Sequence, residues 1–244
     1  ALFAGFSYAE LSSVFPKAAA EYVFIKNAFK NNFFAFLIGW LTAVTSIITA
    51  ATVALGFGGY FAEFVNIPII ISAIGLLVIL SIVNFVGIRE SAWTNTIFTI
   101  IEASGLILII IIGFTFANPE PVNYYESPSG FSGIVIAFVL IFFAFIGFED
   151  MANIAEEVKK PKKTLPKAII LSVVIAGILY VLVSLAVVRV VNWEELANSS
   201  APIALVAERG LGTEAHILLS SIALFAITNT VLITLVAGSR IFYG

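Results

Sequence analysis

Cysteine is absent from this chain, and its 244 residues hold a single histidine and a single methionine. No disulfide can form and no thiolate can hold a metal, although the missing thiols do not by themselves identify a compartment. With His216 alone, neither a HExxH zinc helix nor a histidine-based triad can be assembled, and no GxSxG elbow is present. Charge is scarce as well. Asp, Glu, Lys and Arg make up 11% of the chain, less than half of the roughly 25% usual in soluble domains. A net charge of −3 gives nucleic acid no electrostatic foothold. These shortages leave an intramembrane enzyme as the least supported class, with no catalytic and no metal-ligating residue to assign. "GLGTEA" at 210–215 imitates a dinucleotide fingerprint, but no strand precedes it and the match is accidental.

Hydrophobic residues fill the space, at 61%. A hydrocarbon core about 30 Å thick takes roughly 20 helical residues. Runs 33–61, 68–88, 96–116, 131–155, 167–191 and 215–241 meet that length, and 1–15 is a partial run that already begins apolar at Ala1. The connecting segments carry Pro, Gly, Asn or charge, which stop a span. Seven crossings place alternate loops on opposite sides. Lys17, Lys26, Lys30, Arg89, Lys159, Lys160, Lys162, Lys163, Lys167 and Arg240 then share one side, and only Arg189 and Arg209 fall on the other. That bias predicts a cytoplasmic position for the basic loops in a multi-pass protein of the cell membrane, facing membrane lipid along its spans. No basic leader precedes Ala1, and the chain stops as a helix reaches "GSRIFYG". The expectation is an internal piece of a longer polytopic protein, forming a single transmembrane domain.

The stretch "FFAFIGFEDMANIAEEVKKPKKTLPKA", residues 142–168, is the most informative. One straight helix over 131–155 would run about 37 Å, longer than the hydrocarbon core. Gly147 is the easiest place to interrupt it, since glycine weakens a helix by about 1 kcal/mol relative to alanine. The pattern predicts loss of regular bonding between Phe143 and Glu149. A short second helix from about Glu149 to Val158 would follow, its positive end facing Glu149 and Asp150. Broken helices of this kind form substrate sites in secondary transporters. An ordinary tilted helix with both acids at the interface is the competing account, and spacing alone does not separate the two.

The same stretch, continued to Ile169, resembles the sixth span and following loop of amino acid permeases of the amino acid, polyamine and organocation transporter superfamily. "YAELSSVFPKAAAEYVFIKNAFKNNFFAFLIGW" is similar to their second span, loop and third span, with Ala19 and Ala20 where the family commonly has two glycines. "NTIFTIIEASGLILIIIIGF" is similar to the fifth span, "APIALVAERGLG" to the short external helix before the eighth, and "ALFAITNTVLITLVAGSRIFYG" to the eighth. The fold this implies is an all-α polytopic bundle, leucine-transporter-like, built from two inverted repeats. Residues 1–116 would fall in the first repeat and 131–244 in the second, corresponding to spans two to eight.

The resemblance also implies site residues. Phe143 would stand at an aromatic gate, Ala144 and Ile146 would offer backbone carbonyls, and Phe145 would flank the pocket; periodicity alone would place these phenylalanines in lipid or core. An ammonium ion between carbonyls and an aromatic face is held by hydrogen bonds and cation–π attraction. Glu102 is the one carboxylate well inside an otherwise apolar span, and it should face the bundle, carry a proton or find a partner. Proton-coupled relatives often have lysine there, so proton coupling, sodium binding, simple exchange and a structural role all stay open. Thr228 and Asn229 match positions where sodium-coupled relatives carry ligands, and helix-to-helix hydrogen bonding competes. Glu149 joins Glu102, Thr228 and Asn229 as a coupling or gating candidate. In the third span Ser46, Ala50, Ala54 and Gly58 form a packing stripe, and Thr42, Thr45, Thr49 and Thr52 form a second face that packs or lines a cavity. His216 is expected at the surface. The function expected is secondary transport of amino acids or related amines without a cofactor, coupled to H+ or Na+. A channel-like or structural membrane subunit is the alternative and predicts continuous helices.

Overall fold

The apolar runs become helices because a backbone in hydrocarbon finds no water and must satisfy its polar groups internally. The computed structural model describes every residue except 63, 87–90, 117–121, 126, 128 and 244. In chain order the helices are α1 (Leu2–Val14), α2 (Ala20–Phe29), α3 (Asn32–Ala62), α4 (Ile69–Val86), α5 (Ser91–Thr115), α6 (Gly130–Phe143) and α7 (Asp150–Asn153). A 3-10 turn at Ala155–Glu157 leads to α8 (Pro161–Val190), α9 (Trp193–Asn198), α10 (Pro202–Leu211) and α11 (Thr213–Tyr243). Among the described residues there is no strand. Local signals set the boundaries. Asn31 accepts from the amides of Phe33 and Phe34 at the start of α3, and Asn192 caps α9 through Glu194 N–H. Ala19 and Lys30 take left-handed conformations at the two ends of α2.

Four helices among the described residues are long and apolar enough to cross a membrane: α3, α5 over Thr96–Thr115, α8 and α11. The sequence suggested six full runs. α6 falls short because the run 131–155 is interrupted, and α4 because positions 87 and 88 of the run 68–88 lie outside the described residues. Among the described residues the outward faces are mostly apolar, as at Phe36, Ile79, Ile136 and Val181, each at least 60% exposed. Such faces suit lipid and would be a liability in water.

The chain divides into two compact units. The first is Ala1–Ser46, Asn123–Ile178 and Ala237–Gly244. Its core joins Ala9 of α1, Phe148 and Ala155 near α7, and Leu165, Ile169 and Val173 of α8, with a second cluster of Ala20, Phe24 and Ala152. The second unit is Ile47–Val122 and Leu179–Val236. There Ile109 and Ile112 of α5 pack with Val190, Val206, Ala207 and Leu219, and Ala54 packs with Ala73, Leu76, Leu80 and Val231.

The small-residue stripe of α3 is a packing seam: Ala50 and Ala54 are buried, and a Cβ placed on Gly58 would stand 2.5 Å from the Ile69 carbonyl oxygen. The threonine face does not behave as one surface. Thr49 is buried, while Thr45 and Thr52 are exposed and return their hydroxyls to the carbonyls of Leu41 and Ile48 in their own helix. Gly58→Ala should therefore overpack the α3–α4 contact and destabilise by about 1–3 kcal/mol. Gly75→Ala, with nothing within 4 Å of the new Cβ, should be neutral or slightly stabilising. Thermal unfolding of the detergent-solubilised protein checks the pair.

Candidate functional site

α6 carries no charge, and its regular bonding stops at Phe143. The next amides reach back only three residues: Ala144 to Ile141 and Phe145 to Phe142, both at 3.0 Å, and Ile146 to Phe143 at 3.1 Å. The helix has tightened and run out. Gly147 then takes φ of +118°, a conformation that side-chain-bearing residues rarely adopt. Its N–H donates to Glu149 Oε2 at 3.0 Å. A carboxylate two residues on thus takes up a donor that the interrupted helix leaves free. The interruption falls within the 143–149 window suggested by the run's excess length. The second helix is shorter than expected: instead of continuing to Val158 it is the four-residue α7 followed by the 3-10 turn. Buried Ala152, Asn153 and Ala155 are held by neighbouring elements, which fixes the chain's path there more strongly than helix propensity does.

Around the break, Phe143 and Ala144 are exposed and Phe145 and Ile146 half-buried. The Phe145 ring lies over Gly177 of α8, where an added Cβ would stand 3.6 Å from it. Phe148 is buried and meets Tyr8 of α1 edge-on, ring centroids 5.6 Å apart. Tyr8 also contacts Phe24 of α2 at 6.0 Å and donates its hydroxyl to Glu21 Oε1 at 3.0 Å. Asn153, 1% exposed, accepts from Ala20 N–H at 2.8 Å, and Ala18 N–H reaches Glu156 at 3.4 Å. Tyr8, Glu21 and Asn153 were not among the residues singled out from sequence. The available signal was a lone acid opening an apolar helix after three alanines, and a lone amide within "MANIA".

The basic stretches converge. Lys17, Lys26, Lys30, Lys159, Lys160, Lys162, Lys163, Lys167 and Arg240 all belong to the first unit, where Arg240 pairs with Glu157. Arg189 and Arg209 belong to the second, and Arg89, Glu120 and Glu126 lie outside the described residues.

The remaining candidates sit in the second unit. Glu102 is half-buried on α5, within electrostatic range of Tyr180 on α8. Among the described residues it has no ion-pair partner. On α11, Thr228 returns its hydroxyl to Leu224 C=O at 2.7 Å, and Asn229 is buried. α5 meets α11 at Gly105 against Ile222 and at Phe98 against Phe225. Glu102 is therefore level with Ile222 to Phe225, about one turn from Thr228. His216 is not the surface residue expected; it is half-buried in α11 with Nδ1 3.1 Å from Glu208 Oε2. Among the described residues no group of His, Cys, Asp and Glu could hold a metal ion.

An apolar helix interrupted at Phe143, two acids directly after the interruption and basic stretches gathered in one unit make up the candidate site. The whole chain, residues 1–244, matches the amino acid permease family, and the chain belongs to that family. It is 30% identical to the branched-chain amino acid permease BcaP of Bacillus subtilis, covering 100% of this chain and 56% of that protein. It is also 30% identical to cationic amino acid transporter 4 of Mus musculus, over 100% of this chain and 42% of the relative. Against the methylthioribose transporter of Bacillus subtilis the identity is 28%, over 99% and 56%. Each of these relatives is named as a permease or a transporter. The chain spans about half the length of the relatives it matches.

Burial raises the Glu21 carboxyl above its ordinary value of 4.5, opposed by its own backbone N–H, by Tyr8 and by the Asn153 side chain. A carboxyl raised by folding contributes stability in full below its unfolded value and loses it as pH climbs through the folded value. Thermal stability should thus decline as pH rises above about 4.5. Glu21→Gln keeps an acceptor for Tyr8 and cannot ionise, so its stability should depend less on pH and exceed that of the unaltered protein at neutral pH. Melting curves across a pH series measure both.

Proposed function

We propose that the protein to which this chain belongs is a secondary transporter that carries amino acids or related amines across the cell membrane by alternating access, with its basic loops in the cytoplasm. The observation that carries this is the interruption of α6 at Phe143, followed by Gly147 at positive φ and Glu149 bonded to its amide. A channel-like or structural subunit accounts for apolar helices but needs no such break. Family membership supports the reading, as do the names of the bacterial and mouse relatives, two of which specify amino acids.

In this reading the carbonyls of Ala144 and Ile146 accept from the substrate's ammonium group, Phe143 closes over it and Phe145 flanks it. No cofactor takes part, and the driving force is an H+ or Na+ gradient. Glu102 is the group proposed to couple it, because a carboxyl inside an apolar span has a protonation state that follows access to water. Thr228 and Asn229 supply side-chain oxygens for the alternative, a sodium ion. Glu149 stays with the break, as the group that holds it open.

Reconstitution of the whole protein in liposomes tests the proposal. Leucine or arginine should accumulate against its gradient when an inward proton or sodium gradient is imposed, and carrier saturation should be evident. Passive, non-saturable flux would favour the channel. In Glu102→Gln, dependence of uptake on the proton gradient should disappear while substrate exchange continues. Uptake that still follows the pH gradient at an undiminished rate would return Glu102 to a structural role, and loss of sodium dependence would make it a sodium ligand.

A further inference from the structure

The chain on either side of the break is not equally supported. On the upstream side, α6 has no buried residue. On the downstream side, within nine residues of Gly147, Phe148, Ala152, Asn153 and Ala155 are all buried in the first unit. Most of that support is apolar and tolerant of small shifts. The polar part is directional. Asn153 Oδ1 takes the amide of Ala20, the first residue of α2, which the left-handed turn at Ala19 presents to it. Next to Ala20, Glu21 is 8% exposed and receives the Tyr8 hydroxyl, while the Tyr8 ring braces Phe148, the residue directly after Gly147. Asn153 Nδ2 and Glu21 Oε2 are a buried donor and a buried acceptor on neighbouring side chains, and the Asn153 amide favours the ionised form of Glu21.

We propose that Asn153, braced by Glu21 and Tyr8, is a positioning residue for transport: it clasps the chain after the break to the start of α2, and so fixes the geometry at which the Phe143–Ile146 backbone meets substrate. This rests on the transport reading above. The mechanism is mechanical. Gly147 supplies the freedom for the chain to turn, and Glu149 satisfies its amide, but neither determines where the downstream segment is anchored. That determination falls to a buried bond with both partners 2.8 Å apart and shielded from water. The groups that face the clasp are Tyr8 from α1, Glu149 and Asp150 from the segment after the break, and Glu156 from the 3-10 turn beyond it, with Arg240 of α11 paired to the adjacent Glu157 and Lys17 next to Ala18.

The test is KM for leucine or arginine, whichever the reconstituted whole protein takes up, measured for variants relative to the unaltered protein at each pH. Asn153→Leu keeps the volume and leaves Ala20 N–H without its acceptor, and should raise KM about tenfold at every pH. Asn153→Asp keeps the acceptor but places a second carboxyl beside Glu21. Its KM ratio should stay near one on the acid side, where the two carboxyls share a proton, and climb on the alkaline side, where both must ionise. A residue that merely fills space would give a ratio indifferent to pH. If Asn153→Leu fails to fold, Tyr8→Phe serves in its place. It preserves both ring contacts, removes the hydroxyl from Glu21, and should raise KM severalfold. A flat ratio for Asn153→Asp, together with KM unchanged in Asn153→Leu or Tyr8→Phe, overturns the clasp while leaving transport intact. Absence of any saturable uptake by the unaltered protein would instead overturn the transport reading and the clasp with it.

Discussion

A backbone amide that leaves a helix inside an apolar environment must find another acceptor, and at Gly147 that acceptor is the side chain of Glu149. The path of the chain through the break rests on this bond. Without it, ending α6 at Phe143 would strand a donor, and continuing the helix would be the cheaper solution. With it, the chain can turn at a positive φ that only glycine adopts freely, and the residues before the turn keep their three-residue bonding. An acid directly behind a run of aromatic residues is there because the backbone needs it.

Once the helix is broken, its downstream half must be held by something other than helix continuity. α7 has four residues and little stability of its own. Burial of Phe148, Ala152 and Ala155 supplies cohesion, and the bond from Ala20 to Asn153 supplies direction. The same elements draw the first loop, the end of α11 and the lysine-rich loop into one unit, through Ala18 with Glu156 and Arg240 with Glu157. The gathering of cationic side chains and the support of the break are therefore two consequences of one set of contacts.

Much of this was legible in the sequence where a local rule governs. Excess length and Gly147 located the interruption, because both are properties of a single segment. Ala50, Ala54 and Gly58 declared a packing seam by their spacing. Other features depend on tertiary packing. Tyr8, Glu21 and Asn153 are not legible as a group because 132 residues separate Glu21 from Asn153, and only the packed fold brings them together. The threonines of α3 share a helical face on paper, but Thr45 and Thr52 satisfy their hydroxyls within the helix, so spacing said nothing about what they line. The second half-helix is shorter than its sequence pattern suggests because its boundary is set by what Asn153 and Ala155 pack against. His216 turned out half-buried because α11 begins at Thr213 and α10 brings Glu208 beside it.

Under the proposed function, the interruption between Phe143 and Glu149 is where substrate binds. Hydrogen–deuterium exchange on the whole protein in lipid, resolved over 131–155, tests it most directly. The amides of 144–149 should exchange faster than those of α6 and become protected when a transported amino acid is added. Uniform protection across the whole run, unchanged by substrate, would mean a continuous helix and no substrate site at the break.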